Sequence, residues 1–364
     1  MIRFVHAADL HLDAPFASLP AEQAQRRREE QREALERLAD LVLDERADLV
    51  LLSGDRRDGA RAYRETAEAL SRALARMAVP VFIAPGNHDP YTARSLYASV
   101  VFPENVRIFR TADVETVSLP ALGCTVSGAA FTSPVCDFSP LRDFTAPAGI
   151  SFGVFHADVD GTGRYADLTR EEIASTALTY LALGHVHRGS GLQRAGNTVW
   201  AYPGCMEGRG FDELGDKGVL VGEVDEDRTV SLRFVPLARR RYRILPVDLT
   251  DSTDPSVTLA AALPRDGAED LCRIILTGEV GDAPDLTALT ALARPFFYQV
   301  SLRDATSVRR DLWERAGENS LTGLFLREMR ARLDASETDE AREALSLAVR
   351  FGLAALEKGE DLRP

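Results

Sequence analysis

Five short blocks hold most of the chemistry this sequence could perform. They are DLH (Asp9, Leu10, His11), GDRRD (Gly54 to Asp58), GNHD (Gly86, Asn87, His88, Asp89), a lone His156 within GVFHAD, and GHVH (Gly184, His185, Val186, His187). The chain has 6 histidines, and all but His6 fall inside these blocks. Carboxylate, imidazole and amide side chains in one set suit borderline divalent metals such as manganese, iron or zinc, rather than calcium or magnesium. Asp9 and His11 are two residues apart, so in an extended segment both side chains point to one side; His185 and His187 repeat that spacing. A carboxylate such as Asp55 has two oxygens and can bridge a pair of ions, which two-metal sites hold ~3.5–4 Å apart. Such a pair polarises a phosphoryl oxygen, makes water nucleophilic at neutral pH and steadies the leaving oxygen. Taken singly, each residue has a plainer reading: Asp55 could cap a helix, Asn87 could make a turn, and one buried histidine is usually only hydrogen-bonded. Taken together and in order, they point to a two-metal phosphoesterase site.

Each block closes an apolar run, so the elements that must position it can be read from the same segments. Residues 2–8 form a short strand ending at the first block, and a helix is expected over about residues 20–46. Pro20 suits its first helical position, and Leu35, Leu38, Leu41 and Val42 mark its apolar stripe. The run DLVLLS before Gly54 is continuously apolar, as in a strand buried on both faces. A helix at about 60–77 and the strand VPVFIA follow; residues 150–158 and 179–187 repeat the pattern of apolar strand and histidine-bearing loop. Strands alternating with helices predict a layered α/β domain. Ligands bind beyond the carboxyl ends of strands in such folds, so the five loops should converge on one crevice.

Beyond that domain the pattern changes. VLVGEV and TVSLRFVPL flank a turn at Asp225 to Arg228 and read as a hairpin. Arg239, Arg240, Arg241 and Arg243 then form a basic run leading into a βαβαβ-like segment. Two helices end the chain. In the first, Leu321, Leu324, Phe325 and Leu333 share one side and Ser320 is the expected N-cap; the second carries Leu345, Val349 and Leu356 on one face and Leu347 and Phe351 on another. A helix apolar on more than one side needs another surface to cover it. The expected division is a domain over residues 1–238, a small α/β domain over 239–306 and a helical segment over 307–364. Internal repeats and low-complexity tracts are not evident.

Composition narrows the class. Lys and Arg total 43 against 56 Asp and Glu, a net charge of -13, which argues mildly against a nucleic-acid ligand unless metal or local patches supply positive charge. Cys124, Cys136, Cys205 and Cys272 are scattered without a CxxC pair and read as free thiols. The N-terminus lacks the pattern of a signal peptide and no apolar stretch approaches the ~20 residues of a membrane helix, so a cytoplasmic location with no membrane contact is expected.

The ordered blocks resemble the calcineurin-like metallophosphoesterase superfamily, whose pattern is DxH, GDxxD, GNHD/E, a lone His and GHxH. The opening FVHAADLHLDAPF, with HADVDG, YLALGHVH and YPGCMEGRG, is similar to the SbcD/YhaO group of DNA-repair nucleases. The resemblance covers the first domain throughout and the last third only in layout. It implies two β-sheets in a sandwich flanked by helices, with a small α/β capping domain and C-terminal helices. It also implies that Asp9, His11 and His187 hold one ion, that Asn87, His156 and His185 hold a second, and that Asp55 bridges them, most simply as manganese. His88 would contact the phosphate or protonate the leaving group, oriented by Asp89. Metal-dependent hydrolysis of DNA would follow, with the arginines near 240 as a phosphate contact. The terminal helices would dock a coiled-coil ATPase of the SbcC/YhaN kind, pack on the chain's own domains, or form a homodimer. A phosphatase or phosphodiesterase for nucleotides and other small phosphoesters is the alternative, and a non-catalytic metal-stabilised scaffold a third reading. The sequence departs from the family at Arg56 and Arg57, where hydrophobic residues are usual; we read them as solvent-facing replacements rather than as phosphate ligands. His6 is read as core packing, or packing behind the ligands.

Overall fold

The apolar runs become the inner strands of two six-stranded sheets. The computed structural model describes residues 1–17, 19–55, 64–161, 163–309 and 313–358. In the first sheet β1 (Ile2–Ala8), β2 (Leu49–Ser53), β3 (Val81–Ala84) and β4 (Val106–Ile108) run parallel in that order. The hairpin of β11 (Gly218–Val224) and β12 (Val230–Pro236) adds two antiparallel strands beyond β1. In the second sheet β6 (Cys124–Gly128), β7 (Ile150–His156), β8 (Tyr180–Gly184) and β10 (Thr198–Ala201) are parallel, with β5 (Glu115–Leu119) and β9 (Gln193–Ala195) as antiparallel edges.

Strand alternation decides the layers, because successive side chains point to opposite faces. Leu49 and Leu51 of β2 join Phe4, Phe82, Phe152, Val154 and Tyr180 in the core between the sheets. Val50 and Leu52 point the other way, joining Val5, Ala7, Leu35, Leu38, Leu70 and Leu74 under the helices α1 (Ala21–Asp44) and α2 (Arg64–Met77). Both faces of β2 are therefore covered, as its unbroken apolar run predicts. The far side of the second sheet is closed by Phe155, Leu181, Leu183 and Trp200 with Ile173 of α4 (Arg170–Ser175); α3 (Leu96–Ser99) is a single turn.

Two details of α1 differ from the sequence expectation. Pro20 is the N-cap, with extended ψ of 149°, and not the first helical residue. The stripe facing inward is not wholly apolar either: Arg27, Glu30 and Gln31 are buried on it. Arg27 reaches Glu30 at 2.6 Å, Glu207 at 3.2 Å and the Gly208 carbonyl at 2.9 Å.

His6 lies in the core between the sheets, consistent with a packing role. Its Nδ1 is 2.8 Å from the Tyr180 hydroxyl and its Nε2 is 3.2 Å from Ser53 Oγ. Burial lowers its pKa from 6.5 to about 3. The unfolded chain therefore binds the proton more readily through that window, and stability falls as pH falls from 6.5 toward 3. At about 1.4 kcal/mol per pH unit, His6 costs roughly 2–3 kcal/mol near pH ~4.5. His6→Gln should flatten the dependence of unfolding free energy on pH by close to one proton between about pH 6 and pH 4. An unchanged slope would rule out a neutral buried imidazole there.

The chain divides into two compact units, Met1–Arg239 and Arg240–Pro364. In the second, β13 (Tyr242–Asp248), β14 (Leu271–Thr277) and β16 (Gln299–Asp304) are parallel, with α5 (Pro255–Ala262) and α6 (Leu286–Ala293) as crossovers, so the segment is βαβαβ. Short β15 (Glu279–Val280) pairs with β17 (Ser307–Val308). The helices α7 (Leu321–Asp334) and α8 (Asp339–Lys358) follow, and Ser320 caps α7 by accepting the Gly323 N–H at 3.1 Å. The buried side of α7 is Gly323, Leu326 and Met329, whereas Leu321 and Leu324 are 67% and 58% exposed; the apolar side read from the sequence is thus divided between core and surface. Val349 and Leu353 of α8 pack on Leu326 and Met329, and Leu347, Phe351 and Leu356 face outward. Arg350, buried, ties α8 to the end of β16 through Asp304 at 2.8 Å. Among the described residues no helix is long and apolar enough to cross a membrane.

Candidate metal centre

The five loops leave the carboxyl ends of β1, β2, β3, β7 and β8, and their side chains meet in two groups. Asp9, His11 and His187 form one; Asp55, His156 and His185 form the other, with the ligand atoms of each group within 4.8 Å of one another. The groups adjoin: His156 Nδ1 is 3.9 Å from Asp9 Oδ1, and the His185 amide donates to both Asp9 oxygens at 3.1 and 3.2 Å. Asn87 belongs with the second group, its Oδ1 2.8 Å from His156 Nε2. His88 is exposed at the edge, its ring 5.3 Å from that of His11, and its N–H donates to Asp55 Oδ1 at 2.9 Å. The buried Asp89 carboxylate accepts from the Tyr97 hydroxyl at 2.9 Å and the Gly86 N–H at 3.4 Å, which holds the loop that carries His88. Arg56, Arg57 and Asp58 lie outside the described residues.

Asp9 and His11 converge for a different reason than the extended spacing proposed from sequence. Asp9, His11, Asp55 and His185 all have left-handed backbone, with φ of 49°, 43°, 42° and 107°. That conformation costs a non-glycine residue on the order of 1 kcal/mol or more and persists only where surrounding bonds enforce it. Here the Asp9 N–H donates to the Gly54 carbonyl at 3.3 Å and the His11 N–H to the Asp55 carbonyl at 2.9 Å. Gly54, at φ 81°, leaves the space that the His156 ring occupies; a Cβ on Gly184 would run into the Ser53 carbonyl.

The electrostatics suit cations. Burial pushes the Asp9 carboxyl up, opposed mainly by His156. Burial also acts on Asp55, but the charge and hydrogen bond of His156 outweigh it and hold Asp55 well below the usual carboxylate range. The same pairing raises His156 to about 9 against its own burial, and burial with the nearby His156 lowers His185 to about 4. His156 Nδ1 faces the Ser53 carbonyl at 3.2 Å, so Nε2 is left to face Asn87 and Asp55. His11 Nε2 and His187 Nε2 are 2.9 Å apart; two inward ring nitrogens at that distance need a proton or a cation between them. Two buried carboxylates with convergent nitrogens fit a pair of divalent ions of the borderline class.

Sequence reasoning missed the supports behind these side chains. Glu213 Oε1 is 2.7 Å from His187 Nδ1, Lys217 Nζ donates to the His187 carbonyl at 3.2 Å, and Gln31 Nε2 donates to the His11 carbonyl at 2.8 Å. Burial pushes the Glu213 carboxyl up, but hydrogen bonds from His187 and Arg209 outweigh it and hold it far below the usual range. The glycine-rich GRGFDELG after the strand was a possible signal, but nothing in its spacing sets one acid apart from 55 others.

The basic run differs from the sequence expectation. Arg239 pairs with Glu33 at 3.6 Å and Glu30 at 3.9 Å. Arg240 pairs with Glu269 at 2.9 Å and lies 3.4 Å over the Tyr298 ring. Arg241 and Arg243 both pair with Asp266 and Asp270. Each of these arginines is paired with an acid, so they are not the run of unpaired positive charge that the sequence suggests. All four cysteines are free.

The fold and the two ligand groups define a metallophosphoesterase. The family model of calcineurin-like phosphoesterases matches residues 2–207, and the chain belongs to that family, a hydrolase acting on phosphoester bonds. It is 26% identical over 297 residues to a Bacillus subtilis (strain 168) protein described as the uncharacterized metallophosphoesterase YhaO, spanning 76% of this chain and 72% of that one. It is 24% identical over 271 residues to the DNA double-strand break repair protein Mre11 of Aeropyrum pernix, spanning 69% of this chain and 64% of that protein, less than two thirds of its length.

Proposed function

We propose that the protein is a manganese-dependent nuclease that hydrolyses DNA phosphodiester bonds. The observation that carries this reading is the pair of adjoining ligand groups with an exposed imidazole, His88, beside them. Asp9, His11 and His187 would hold one ion and Asn87, His156 and His185 the other, with Asp55 serving both. When bound, such ions withdraw charge from a phosphoryl oxygen and make water acidic enough to attack at neutral pH. The protein's part is to fix the ligands: left-handed turns aim Asp9, His11 and Asp55 inward, and the Ser53 carbonyl orients His156. His88, anchored through its amide to Asp55 and exposed at the edge of the site, would contact a phosphate oxygen or protonate the leaving oxygen, and Asp89 steadies its loop.

DNA as substrate is supported by the similarity to an Mre11 protein. The second unit, with its βαβαβ layer, would be the cap that shapes access. The outward Leu347, Phe351 and Leu356 of α8 would meet a coiled-coil ATPase of the SbcC/YhaN kind or a second copy. The alternative, small phosphoesters, is favoured by the net charge of -13 and by the pairing of these arginines with acids.

The deciding experiment is degradation of linear duplex DNA with added manganese. His88→Ala should lower the rate ~100-fold or more, in keeping with loss of an acid–base group, while two equivalents of manganese still bind. Hydrolysis of small phosphodiesters but not DNA, with the ATPase present, would favour the alternative. Metal binding without hydrolysis of either would leave a scaffold.

A further inference from the structure

We infer that Glu213 and Arg209 act as opposed controls on the His187 ring: Glu213 positions it for a divalent cation, and Arg209 is the donor that reverses its tautomer when Glu213 is lost. The inference rests on the metal-binding part of the proposed function and not on its DNA substrate.

His187 faces His11 with Nε2, and its other nitrogen, Nδ1, has two neighbours: Glu213 Oε1 at 2.7 Å and an Arg209 Nη at 3.0 Å. Their demands conflict. A carboxylate only accepts, so Glu213 calls for a proton on Nδ1; a guanidinium only donates, so Arg209 calls for a lone pair there. A neutral imidazole carries one proton. With the proton on Nδ1, the Nε2 lone pair faces Asp9 and His11 and can hold a cation. With the proton on Nε2, that atom cannot be a ligand.

The geometry favours Glu213. Its contact is the shorter, and the same Arg209 nitrogen also lies 2.9 Å from Glu213 Oε1, an anionic acceptor that outcompetes a ring nitrogen for its proton. The Arg209 backbone N–H donates to the other oxygen, Glu213 Oε2, at 2.7 Å, and the Glu213 N–H closes a turn on the Gly210 carbonyl at 3.1 Å. Glu213 is thus held at both oxygens on a tight turn, buried at 4% exposure, with its charge balanced by the residue that would otherwise compete with it. Carboxylates on the outer nitrogen of a ligating histidine fix its tautomer and orientation, and losing one typically costs 10- to 100-fold in metal affinity.

The test reads ring protonation directly in the chelator-treated full chain. Long-range proton–nitrogen correlation spectra of histidine-labelled protein near pH 8 should show His187 protonated on Nδ1. Glu213→Gln should move the proton to Nε2 and weaken manganese at one of the two sites about 10- to 100-fold. Adding Arg209→Met to Glu213→Gln removes the competing donor. The glutamine carbonyl can then accept from Nδ1–H, so the double variant should regain the wild-type tautomer and part of the lost affinity. A residue that merely props the loop predicts the reverse, with the double variant binding more weakly than the single one. That result, or Nε2–H in the wild-type spectrum, overturns the inference; the wild-type spectrum decides even if Glu213→Gln does not fold. Neither readout needs turnover, so a wild-type protein that binds manganese but spares DNA would fail the substrate reading and leave this one standing.

Discussion

Asp55→Asn should lower phosphodiester hydrolysis at least ~10³-fold while leaving the chain folded, the size expected when several kcal/mol of charge stabilisation at a two-metal centre is removed. Asp55 uses both oxygens: Oδ1 accepts the His88 N–H at 2.9 Å, and Oδ2 lies 3.3 Å from His156 Nε2. Asparagine has one acceptor and one donor at those positions, so it can satisfy the His88 amide or face the second group, but not both. It also removes one of the two buried carboxylates, Asp9 and Asp55, that balance cationic charge in the crevice. Its volume is nearly that of aspartate, so packing survives and the melting temperature of the metal-free protein should move by only a few degrees. The measurement is hydrolysis of bis(p-nitrophenyl) phosphate with excess manganese, beside a manganese binding isotherm. Activity within tenfold of wild type would remove Asp55 from the centre.

The largest expected loss of stability lies behind the site. Arg27→Met should destabilise the first unit by about 3 kcal/mol, the low end for breaking a buried charge network. In a unit of this size that lowers the melting temperature by roughly 6–12 °C. Arg27 is buried between Glu30 and Glu207, both also buried. Without it those carboxylates keep only part of their compensation, from Arg37 at 2.8 Å for Glu207 and from Arg26 at 3.5 Å and Arg239 at 3.9 Å for Glu30. Burial already pushes the Glu207 carboxyl up, with Arg27 the main opposing charge. In the variant its pKa rises further above the unfolded value, so the deficit should grow as pH rises through that window. Adding Glu207→Gln should recover part of the loss, because it removes the uncompensated charge. Thermal melts across pH read both effects; a single variant within ~1 kcal/mol of wild type would mean that the network is not worth what its burial implies.

The chemistry of this chain was legible because it is written locally. DLH, GNHD and GHVH carry their ligand types at fixed spacing and each follows a strand legible in the sequence, while the unbroken apolar run before Gly54 alone marks β2 as buried on both faces. Ligands collect beyond the carboxyl ends of strands, so a meeting of the five blocks could be expected, although three of them leave one sheet and two the other. Chain capping was local too: Ser320 reads as an N-cap because its side chain needs only the amide three residues on.

What the tertiary structure decided is everything that depends on distance in space. Glu213 and Gln31 stand behind His187 and His11 from loops and helices that no spacing rule links to them. Arg27 finds Glu207 across 180 residues, turning the inward stripe of α1 polar where periodicity asks for apolar residues. The arginines near 240 read as free positive charge until their partners, Glu33, Glu269, Asp266 and Asp270, are brought to them. Leu324 and Leu326 are both leucines two residues apart on α7; only the position of α8 and Val308 leaves one exposed and buries the other. A sequence states what each side chain can donate, accept or bury, but the free energy of each depends on the partner that folding places within a few ångströms of it.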